Sequence, residues 1–440
     1  MTKFHEIKST VFLILPLMLA FLSQKGMQFI DTLMMGWLGP SALAAGAVGT
    51  AIFITILVFC MGTLSAVGVF IARAKGANDE NDIVASLQNG IVLAILLSLP
   101  CIIIIWLAPH FFIRNENAAV IHNAALLLHG LSIGLPGYLL FLVFREFISA
   151  FSLTRIVMLI TFTSLPLTFF INYVLIYGRF GLPALGIAGI GYAGAIVMWF
   201  MFLGLLFYTL LNHQLKKYCN FKLVSLNLGK MKNMLLIGFP SGAFFLLESA
   251  MFLTSIMMMG YFGVEALAAF QIAMQCVNIA YAIPFSLSMA TALQVSHAAG
   301  SKEFYRFKII AFQNFGLGLL FSIIVAIFFI FFPEFFVKIF LNNESNHINT
   351  IKMASSFLVI AAFFQCFDAI QAIANGMLRG LKDTLIPMVL SVASYWIVGI
   401  ASSYYLSFHT VLGPEGIWYG ILLGICTLGT VLMIRLIKKL

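Results

Sequence analysis

The chain contains the stretch MMGWLGPSALAA at residues 34–45 and repeats it as MMGYFGVEALAA at residues 258–269. The offset of 224 residues also brings Pro16 onto Pro240, so the register continues into the neighbouring hydrophobic segments. A repeat of this length is typical of membrane proteins that are built from two copies of one helical unit. The sequence therefore predicts two related halves.

Apolar residues dominate both halves. The residues AVILMFWYC make up 62% of the chain, and charged residues make up only 9%. Apolar runs of twenty or more residues recur along the sequence, and each is long enough to cross a hydrocarbon layer of about 30 Å as a helix. Because a helix satisfies its own backbone polar groups where water is absent, we expect an all-α polytopic membrane protein.

The apolar runs predict twelve transmembrane helices in two six-helix lobes, separated by clusters of polar and turn residues. The predicted spans are residues 9–33, 46–72, 84–107, 120–148, 157–177, 188–211, 234–259, 267–296, 308–332, 353–378, 385–406 and 415–435. The predicted domains are an amino-terminal lobe at 1–212, a basic cytoplasmic linker at 213–233 and a carboxy-terminal lobe at 234–440.

The net charge of +9 is distributed as a topology signal rather than as a nucleic-acid-binding patch. With twelve spans and both termini on one side, most Lys and Arg residues fall on that side, including Lys216, Lys217 and Lys222 of the linker. The positive-inside rule then predicts a multi-pass protein of the cell (inner) membrane with both termini in the cytoplasm. One chain with two lobes can form a pathway across the membrane without a second copy, so we expect a monomer.

The sequence offers little support for catalysis. The six cysteines form no CxxC motif or Cys/His cluster, so we expect free thiols and no cofactor. A primary pump would need a nucleotide-binding motif such as GxxxxGK[ST], which does not occur. We therefore expect a protein that is not an enzyme.

Ionisable residues deep in the predicted spans are the candidates for function. They are Asp31, Glu248 and Asp368, with Lys25 as a basic fourth. An acid at a helix centre costs about 2.5 to 3.5 kcal/mol on insertion scales, so one that is present commonly faces a cavity. Each acid is predicted to take up a proton or bind a cation, and plain hydrogen bonding between helices is the alternative. Lys25 is either a counter-ion or a side chain that snorkels to the interface.

Polar residues accompany each acid at helical spacing. Gln24 and Gln28 share a helix face with Asp31, while in the second copy Glu248 takes the place of Gln24 and Ser255 that of Asp31. Span 10 places polar residues on the Asp368 side, and span 8 carries a polar stripe for which substrate contact and helix packing both remain open. The predicted substrate-cavity residues are Gln24, Gln28, Ser255, Gln271, Gln275, Asn278, Phe364, Gln365, Gln371 and Asn375.

Four motifs together give the chain a family resemblance. They are the D-T-x-M-x-G stretch that begins at Asp31, G-F-P-S-G shortly before Glu248, I-P-F-S-L-S-M-A at 283–290, and F-D-A-I-Q-A-I-A-N-G-M-L-R-G-L-K-D-T at 367–384. In these motifs, and over essentially its whole length, the chain resembles the multidrug and toxic compound extrusion (MATE) transporters, in particular their bacterial NorM-like branch.

The resemblance implies a cation-coupled secondary antiporter. Such a protein exports small amphiphilic cations across the bilayer while Na⁺ or H⁺ moves inward, by alternating access between two lobes. The implied coupling residues are Asp31 with Thr168 and Asn172 in one lobe, and Glu248 with Asp368 in the other. The three acids are also the implied Na⁺ ligands.

The chain departs from the family at Thr168, an implied coupling residue, and at Phe364, a predicted cavity residue. Relatives tend to have Asn where Thr168 stands, and they often have Tyr where Phe364 stands one turn before Asp368. The identity of the coupling ion therefore stays open.

A lipid-linked oligosaccharide or lipid flippase is the alternative function of the same many-span repeat design. It would be expected to line its cavity with several Arg or Lys for pyrophosphate, whereas this chain offers only Lys25 and Arg145 as candidates.

Overall fold

The structure is a computed structural model that describes residues 3–112, 118–219, 227–340 and 348–440. The described chain is helical and contains no strand. Its helices are α1 (Lys3–Trp37), α2 (Pro40–Gly76), α3 (Glu80–Phe112), α4 (Ala118–Ala150), α5 (Thr154–Tyr177), α6 (Ile187–Leu211), α7 (His213–Lys216), α8 (Leu228–Gly260), α9 (Val264–Gly300), α10 (Arg306–Phe331), α11 (Pro333–Lys338), α12 (Ile348–Gly380), α13 (Leu385–Ser391), α14 (Ala401–Phe408) and α15 (Pro414–Ile437). A π-helical segment, Val392–Ile400, joins α13 to α14.

Within the described ranges, twelve helices are long and apolar enough to cross a membrane, which confirms the predicted fold class. The eleventh span is the continuous stretch Leu385–Phe408. Several helix ends lie beyond the predicted ones because their polar first turns still form helix. The seventh span begins at Leu228 instead of residue 234, since Oδ1 of Asn227 accepts a hydrogen bond from the backbone N–H of Lys230 at 3.0 Å and caps the helix. The break predicted near residues 342–349 lies mostly outside the described residues.

Contacts divide the chain into two compact units. The N-terminal unit is Val11–Gly242, and the C-terminal unit is Ala243–Leu440 together with the start of α1. The division falls inside α8 because the first part of this helix packs closely on α2: a Cβ built on Gly238 would lie 2.2 Å from the carbonyl oxygen of Thr63. The lobe and linker boundaries predicted at 1–212, 213–233 and 234–440 remain a prediction.

The two units are built in the same way. In the N-terminal unit the buried helix α4 packs on α2, α3 and α6, and in the C-terminal unit the buried helix α12 packs on α9, α10 and α15. These neighbours are the second, third and sixth spans of each half. The repeat in the sequence thus corresponds to a repeat in the packing.

Glycines with positive φ angles mark equivalent turns in both units. Gly39, before α2, has φ 108°, and Gly263, before α9, has φ 97°. Gly186 and Gly413, before α6 and α15, have φ, ψ angles of 54°, −130° and 53°, −129°. An L side chain rarely adopts these backbone angles, so the same turn demands glycine in each copy.

The segments that flank residues 220–226 are held on the start of α3. Lys217 pairs with Glu80, and Lys230 pairs with Asp82. The backbone N–H of Asn227 donates to Oδ1 of Asn89 at 3.1 Å. The hydrogen bond that the Lys217 ammonium donates to Glu80 is the main reason that the pKa of Lys217 is raised. The described ends of the basic connector therefore belong to the N-terminal unit.

Close backbone contact between α12 and α9 depends on Gly376. A Cβ built on Gly376 would lie 2.3 Å from the carbonyl oxygen of Ser288, which cannot move without moving α9. Small residues at such crossings are typical of helices that pack in membranes. The core of the C-terminal unit thus has no room for one methyl group at this position.

We predict that Gly376→Ala lowers the stability of the folded protein by about 1–3 kcal/mol, the usual cost of overpacking. Thermal unfolding of the purified protein in detergent measures the effect as a lower midpoint. Gly316→Ala on α10 is the matched control, because a Cβ there meets nothing within 4 Å. Equal midpoints for the two variants would contradict the packing described for α12.

Candidate functional site

A cavity of about 100 Å³ lies inside the N-terminal unit, among α1, α2, α4, α5 and α6. Most of its lining is Leu, Ile, Val, Met and Phe, and its polar members are Gln24, Gln28, Asp31, Thr50, Tyr138 and Thr168. The volume suffices for a few water molecules or for an ion, and it is below the range of about 300–1,000 Å³ that drug-sized pockets occupy. The predicted residues Gln24, Gln28, Asp31 and Thr168 are therefore brought together around a space of ionic size.

Asp31 is held by the side chain of Asn172, which lies one turn after Thr168 on α5. Nδ2 of Asn172 donates a hydrogen bond to Oδ1 of Asp31 at 2.7 Å. Oδ1 of Asn172 is buried and has no hydrogen-bond partner among the described residues. Thr168 donates its hydroxyl group to the carbonyl oxygen of Ser164 at 2.7 Å, which leaves lone pairs on its oxygen free to accept.

Asn172 can present either a donor or an acceptor to Asp31. Rotation of the amide by half a turn would exchange its N–H group for its oxygen at the same place. The donor suits an ionised carboxylate, while the oxygen suits a protonated carboxyl group or a cation bound beside it. The geometry of this pair is therefore compatible with either a proton or a metal ion.

Tyr138 of α4 belongs to this site, although the sequence did not single it out. Its hydroxyl group donates to Oε1 of Gln24 at 3.3 Å, and its ring lines the cavity. The only sequence signal was a polar-tipped aromatic residue inside an otherwise apolar span. That signal does not distinguish a cavity residue from one that packs between helices.

A second cluster joins the two acids of the C-terminal unit. Nε2 of Gln371 on α12 donates to Oε1 of Glu248 on α8 at 3.0 Å and to Oδ1 of Asp368 at 3.1 Å. All three side chains are buried. One amide group thus bridges two carboxyl groups that are far apart in the sequence.

Aromatic side chains enclose this cluster. Phe244 contacts Tyr395 with ring centroids 6.3 Å apart, and Phe245 contacts Phe285 at 6.1 Å. Tyr395 comes from the π-helical segment and lies beside Glu248, although its hydroxyl group falls short of hydrogen-bond geometry. Because these rings exclude water, electrostatic interactions within the cluster are stronger than they would be in solution. Irregular helical segments of this kind frequently occur at functional sites.

Arg379 and Tyr281 are two further residues that the sequence analysis did not assign to the site. Nη2 of Arg379 donates to the carbonyl oxygen of Ser288 at 3.4 Å, and the guanidinium carbon lies 5.7 Å from the centre of the Phe245 ring. Tyr281 is partly exposed and lies near both acids and Arg379. Their positions depend on how α8, α9 and α12 pack, which residue spacing along one helix does not specify.

Several predicted cavity residues take other places. Phe364 is fully buried and stacks on Trp418, with ring centroids 6.0 Å apart and planes at 12°. Ser255 is buried and donates its hydroxyl group to the carbonyl oxygen of Met251 at 2.9 Å. Asn375 is buried on α12.

The polar stripe of α9 stays at the surface of its unit. Gln271 and Gln275 are exposed, and Asn278 is partly exposed. Lys25 is exposed at the middle of α1, with its ammonium group 5.6 Å from the centre of the Phe21 ring. The roles predicted for these residues remain predictions.

The three acids are divided between the two units. Asp31 belongs to the N-terminal unit, whereas Glu248 and Asp368 belong to the C-terminal unit. Within the described ranges, no group of three or more His, Cys, Asp or Glu side chains is placed to hold a metal ion. Sodium at either site would therefore have to use amide, hydroxyl or water oxygens besides the carboxylates.

Gln365 and Gln371 are both buried on α12, but they differ in their hydrogen bonds. Neither amide atom of Gln365 has a partner among the residues that the structure describes, whereas Gln371 bonds both acids. We predict that Gln371→Leu lowers stability by about 1–3 kcal/mol, the cost of leaving buried polar groups unsatisfied. Gln365→Leu removes a group that is already unsatisfied, so it should leave stability unchanged or raise it.

Thermal unfolding of the two variants in detergent, side by side with the wild type, measures this difference. A loss of stability in Gln365→Leu equal to that in Gln371→Leu would refute the hydrogen-bond assignments at this cluster.

Comparison with known proteins agrees with the motifs. The model of the MatE family matches residues 16–174 and 240–405. The chain is 35% identical over 423 residues to "Probable multidrug resistance protein NorM" of Pseudomonas aeruginosa, covering 94% of this chain and 86% of the relative. It is 31% identical to "Multidrug resistance protein MdtK" of Yersinia pseudotuberculosis, covering 98% of this chain and 95% of that protein.

A solved structure shows the same fold. The eukaryotic MATE transporter AtDTX14 superposes with a TM-score of 0.88 at 21% identity, over 99% of this chain and 96% of that one. The match of the family model over most of both halves, and the full-length identity to bacterial relatives, lead to one conclusion: this chain is a polytopic membrane protein that belongs to the MatE family and is similar to its bacterial NorM members.

Proposed function

We propose that this chain is a secondary antiporter that exports small amphiphilic cations in exchange for Na⁺ or H⁺. The names of its relatives describe multidrug resistance proteins, which supports efflux as the direction of transport. The observation on which the proposal rests is that three acids, the partly buried Asp31 and the buried Glu248 and Asp368, have neutral hydrogen-bond partners. Asp31 is bonded by Asn172, and Glu248 and Asp368 are bonded by Gln371.

The neutral partners matter because a buried carboxylate needs charge compensation. The ion pairs found within the described ranges involve other acids, such as Glu80, Asp82 and Glu146. An amide hydrogen bond stabilises a carboxylate but leaves its net charge in place. We infer that a mobile species, namely a proton, a metal ion or a cationic substrate, supplies the compensating charge at Asp31, and that it adds to the fixed charge of the buried Arg379 at the C-terminal site.

Competition for the same carboxylates couples the two fluxes. If an ion and a cationic substrate cannot both neutralise one acid, uptake of the ion on the outer side releases the substrate, and uptake of the substrate on the inner side releases the ion. The membrane potential contributes about 2.3 kcal/mol per charge per 100 mV, to which the ion gradient adds. Two units of the same design are suited to alternating access.

At its present size the cavity of the N-terminal unit can hold the coupling ion. After its wall repacks, the cavity can hold a larger cation. Four methionines, Met27, Met35, Met198 and Met201, line it. Methionine side chains rearrange at little cost, so the wall is able to widen around different apolar shapes. We assign Asp31, Thr168 and Asn172 to coupling in this unit, and Glu248 and Asp368 to coupling in the C-terminal unit.

The remaining assignments follow from the same proposal. The protein acts as a transporter and not as an enzyme, works as a monomer in the inner membrane, and has both termini in the cytoplasm. No resident cofactor is needed, because the coupling ion is cargo.

Transport by the purified protein in proteoliposomes tests the proposal. Efflux of ethidium is followed by fluorescence with a Na⁺ gradient alone and with a proton gradient alone, for the wild type and for Asp31→Asn, Glu248→Gln and Asp368→Asn. We expect one gradient to drive efflux in the wild type. Each substitution removes an acid that the ion must neutralise, so we expect coupled efflux to fall about tenfold or more, equivalent to about 1.4 kcal/mol.

Glu334→Gln is the matched control, because Glu334 lies in the short helix α11 and is paired with Lys338 at 2.8 Å outside the spans. It should retain wild-type transport. If neither gradient moves ethidium while the protein is folded and inserted, the antiporter proposal fails, and flipping of a fluorescent lipid or lipid-linked oligosaccharide becomes the function to measure.

A further inference from the structure

Two cysteines meet inside the N-terminal unit. Sγ of Cys60 on α2 lies 3.6 Å from Sγ of Cys101 on α3, and the two helices pack directly on each other. Both thiols are buried, and they are separated by 41 residues in the chain. A search for CxxC spacing cannot detect such a pair, because it forms only when the two helices pack.

The distance suits formation of a covalent bond. A disulfide places its sulfur atoms about 2 Å apart, so the two thiols must approach by roughly 1.5 Å. Rotation of the two side chains about their Cα–Cβ bonds supplies movements of this size. The other four cysteines, Cys219, Cys276, Cys366 and Cys426, are also free thiols.

The pair lies between the cavity and the outer surface of its unit. On the side of the cavity, Leu57 lines the cavity wall one turn before Cys60. On the other side of the pair, Cys101 is 5% exposed, and Ile104, one turn further along α3, is 50% exposed. Cys101, rather than the fully buried Cys60, is therefore the thiol nearer to an apolar reagent at the surface of α3.

We propose that Cys60 and Cys101 form a redox-active dithiol that lipid-soluble quinones convert into a disulfide, which joins α2 to α3 and slows transport. In this reaction the two thiols lose two protons and two electrons, one S–S bond forms, and the quinone is reduced to its hydroquinone. Quinones are the suitable class of oxidant because they dissolve in the apolar phase that surrounds α3. The reaction needs no third residue.

The effect on transport rests on the proposed function. α2 contributes Phe53, Ile54 and Leu57 to the wall of the cavity that holds Asp31. A covalent bond one turn beyond Leu57 prevents α2 from moving relative to α3, so the wall can no longer repack around a substrate. The second copy of the repeat has Pro284 and Val325 at the equivalent positions, so this control exists only in the N-terminal unit.

The test uses the full-length protein in proteoliposomes and duroquinone as the oxidant, because its fully substituted ring oxidises thiols without adding to them. After treatment the protein is denatured, its free thiols are blocked with N-ethylmaleimide, and the added groups are counted by intact mass. We expect the number of blocked thiols to fall by two from the total of six in the wild type. We expect no such fall in Cys60→Ser or in Cys101→Ala.

Cys276→Ser is the matched control, because Cys276 is buried in the other unit, and it should still lose two thiols on oxidation. Six blocked thiols in the treated wild type, or a loss of two that persists in Cys60→Ser, would overturn the proposal. Peptide mapping after proteolysis identifies the linked pair directly.

Transport is measured on the same vesicles. Oxidation should slow ethidium efflux about tenfold in the wild type, dithiothreitol should restore it, and Cys60→Ser should be insensitive to duroquinone. A disulfide that forms without slowing efflux would overturn the proposal that this pair controls transport. If the wild type moves no ethidium before oxidation, the proposed function fails, whereas the thiol count still decides whether the dithiol exists.

Discussion

A hydrocarbon environment offers no hydrogen-bond partner, and this constraint decides where the polar groups of the chain lie. Backbone amides and carbonyls are satisfied by helix formation throughout the twelve spans. Short hydroxyl side chains bond back to their own helix, as Thr168 does to Ser164 and Ser255 to Met251. An ionised carboxylate cannot do this, so Asp31, Glu248 and Asp368 each accept a hydrogen bond from the side-chain amide of another residue. The two acid sites follow from this requirement.

The two units share one framework but not one chemistry. Equivalent glycine turns and equivalent central helices show that the copies fold alike. The polar side chains nevertheless occupy different positions in the two copies. Asp31 is on the first span of the N-terminal unit, whereas the equivalent residue Ser255 bonds only its own helix. In the C-terminal unit the acids lie on the first and fourth spans instead. A duplicated framework of this kind allows the two halves to divide the work of binding ions and substrates.

The surroundings of Asp31 differ from those of Glu248 and Asp368. Asp31 opens on a cavity with adaptable methionine walls, whereas Glu248 and Asp368 share one amide inside an aromatic shell. The first arrangement can accept ligands of different size, and the second suits the transfer of a small charge. The Cys60–Cys101 contact begins one turn after Leu57, which belongs to the adaptable wall and would have to move if the cavity repacked. A covalent restraint has its largest effect at such a place.

The sequence by itself determined the fold class, the twelve spans, the repeat and the three intramembrane acids, because apolar length and helical periodicity are local properties of a chain. Helical spacing also placed Gln371 among the candidate residues, while the family resemblance added Asn172. The tertiary structure alone decided which partners meet: Asn172 bonds Asp31, Gln371 joins Glu248 to Asp368, and Cys60 meets Cys101. It likewise showed that Phe364, a predicted cavity residue, stacks on Trp418. The physical reason is that contacts between helices depend on the rotation and crossing of whole elements, which no single span encodes.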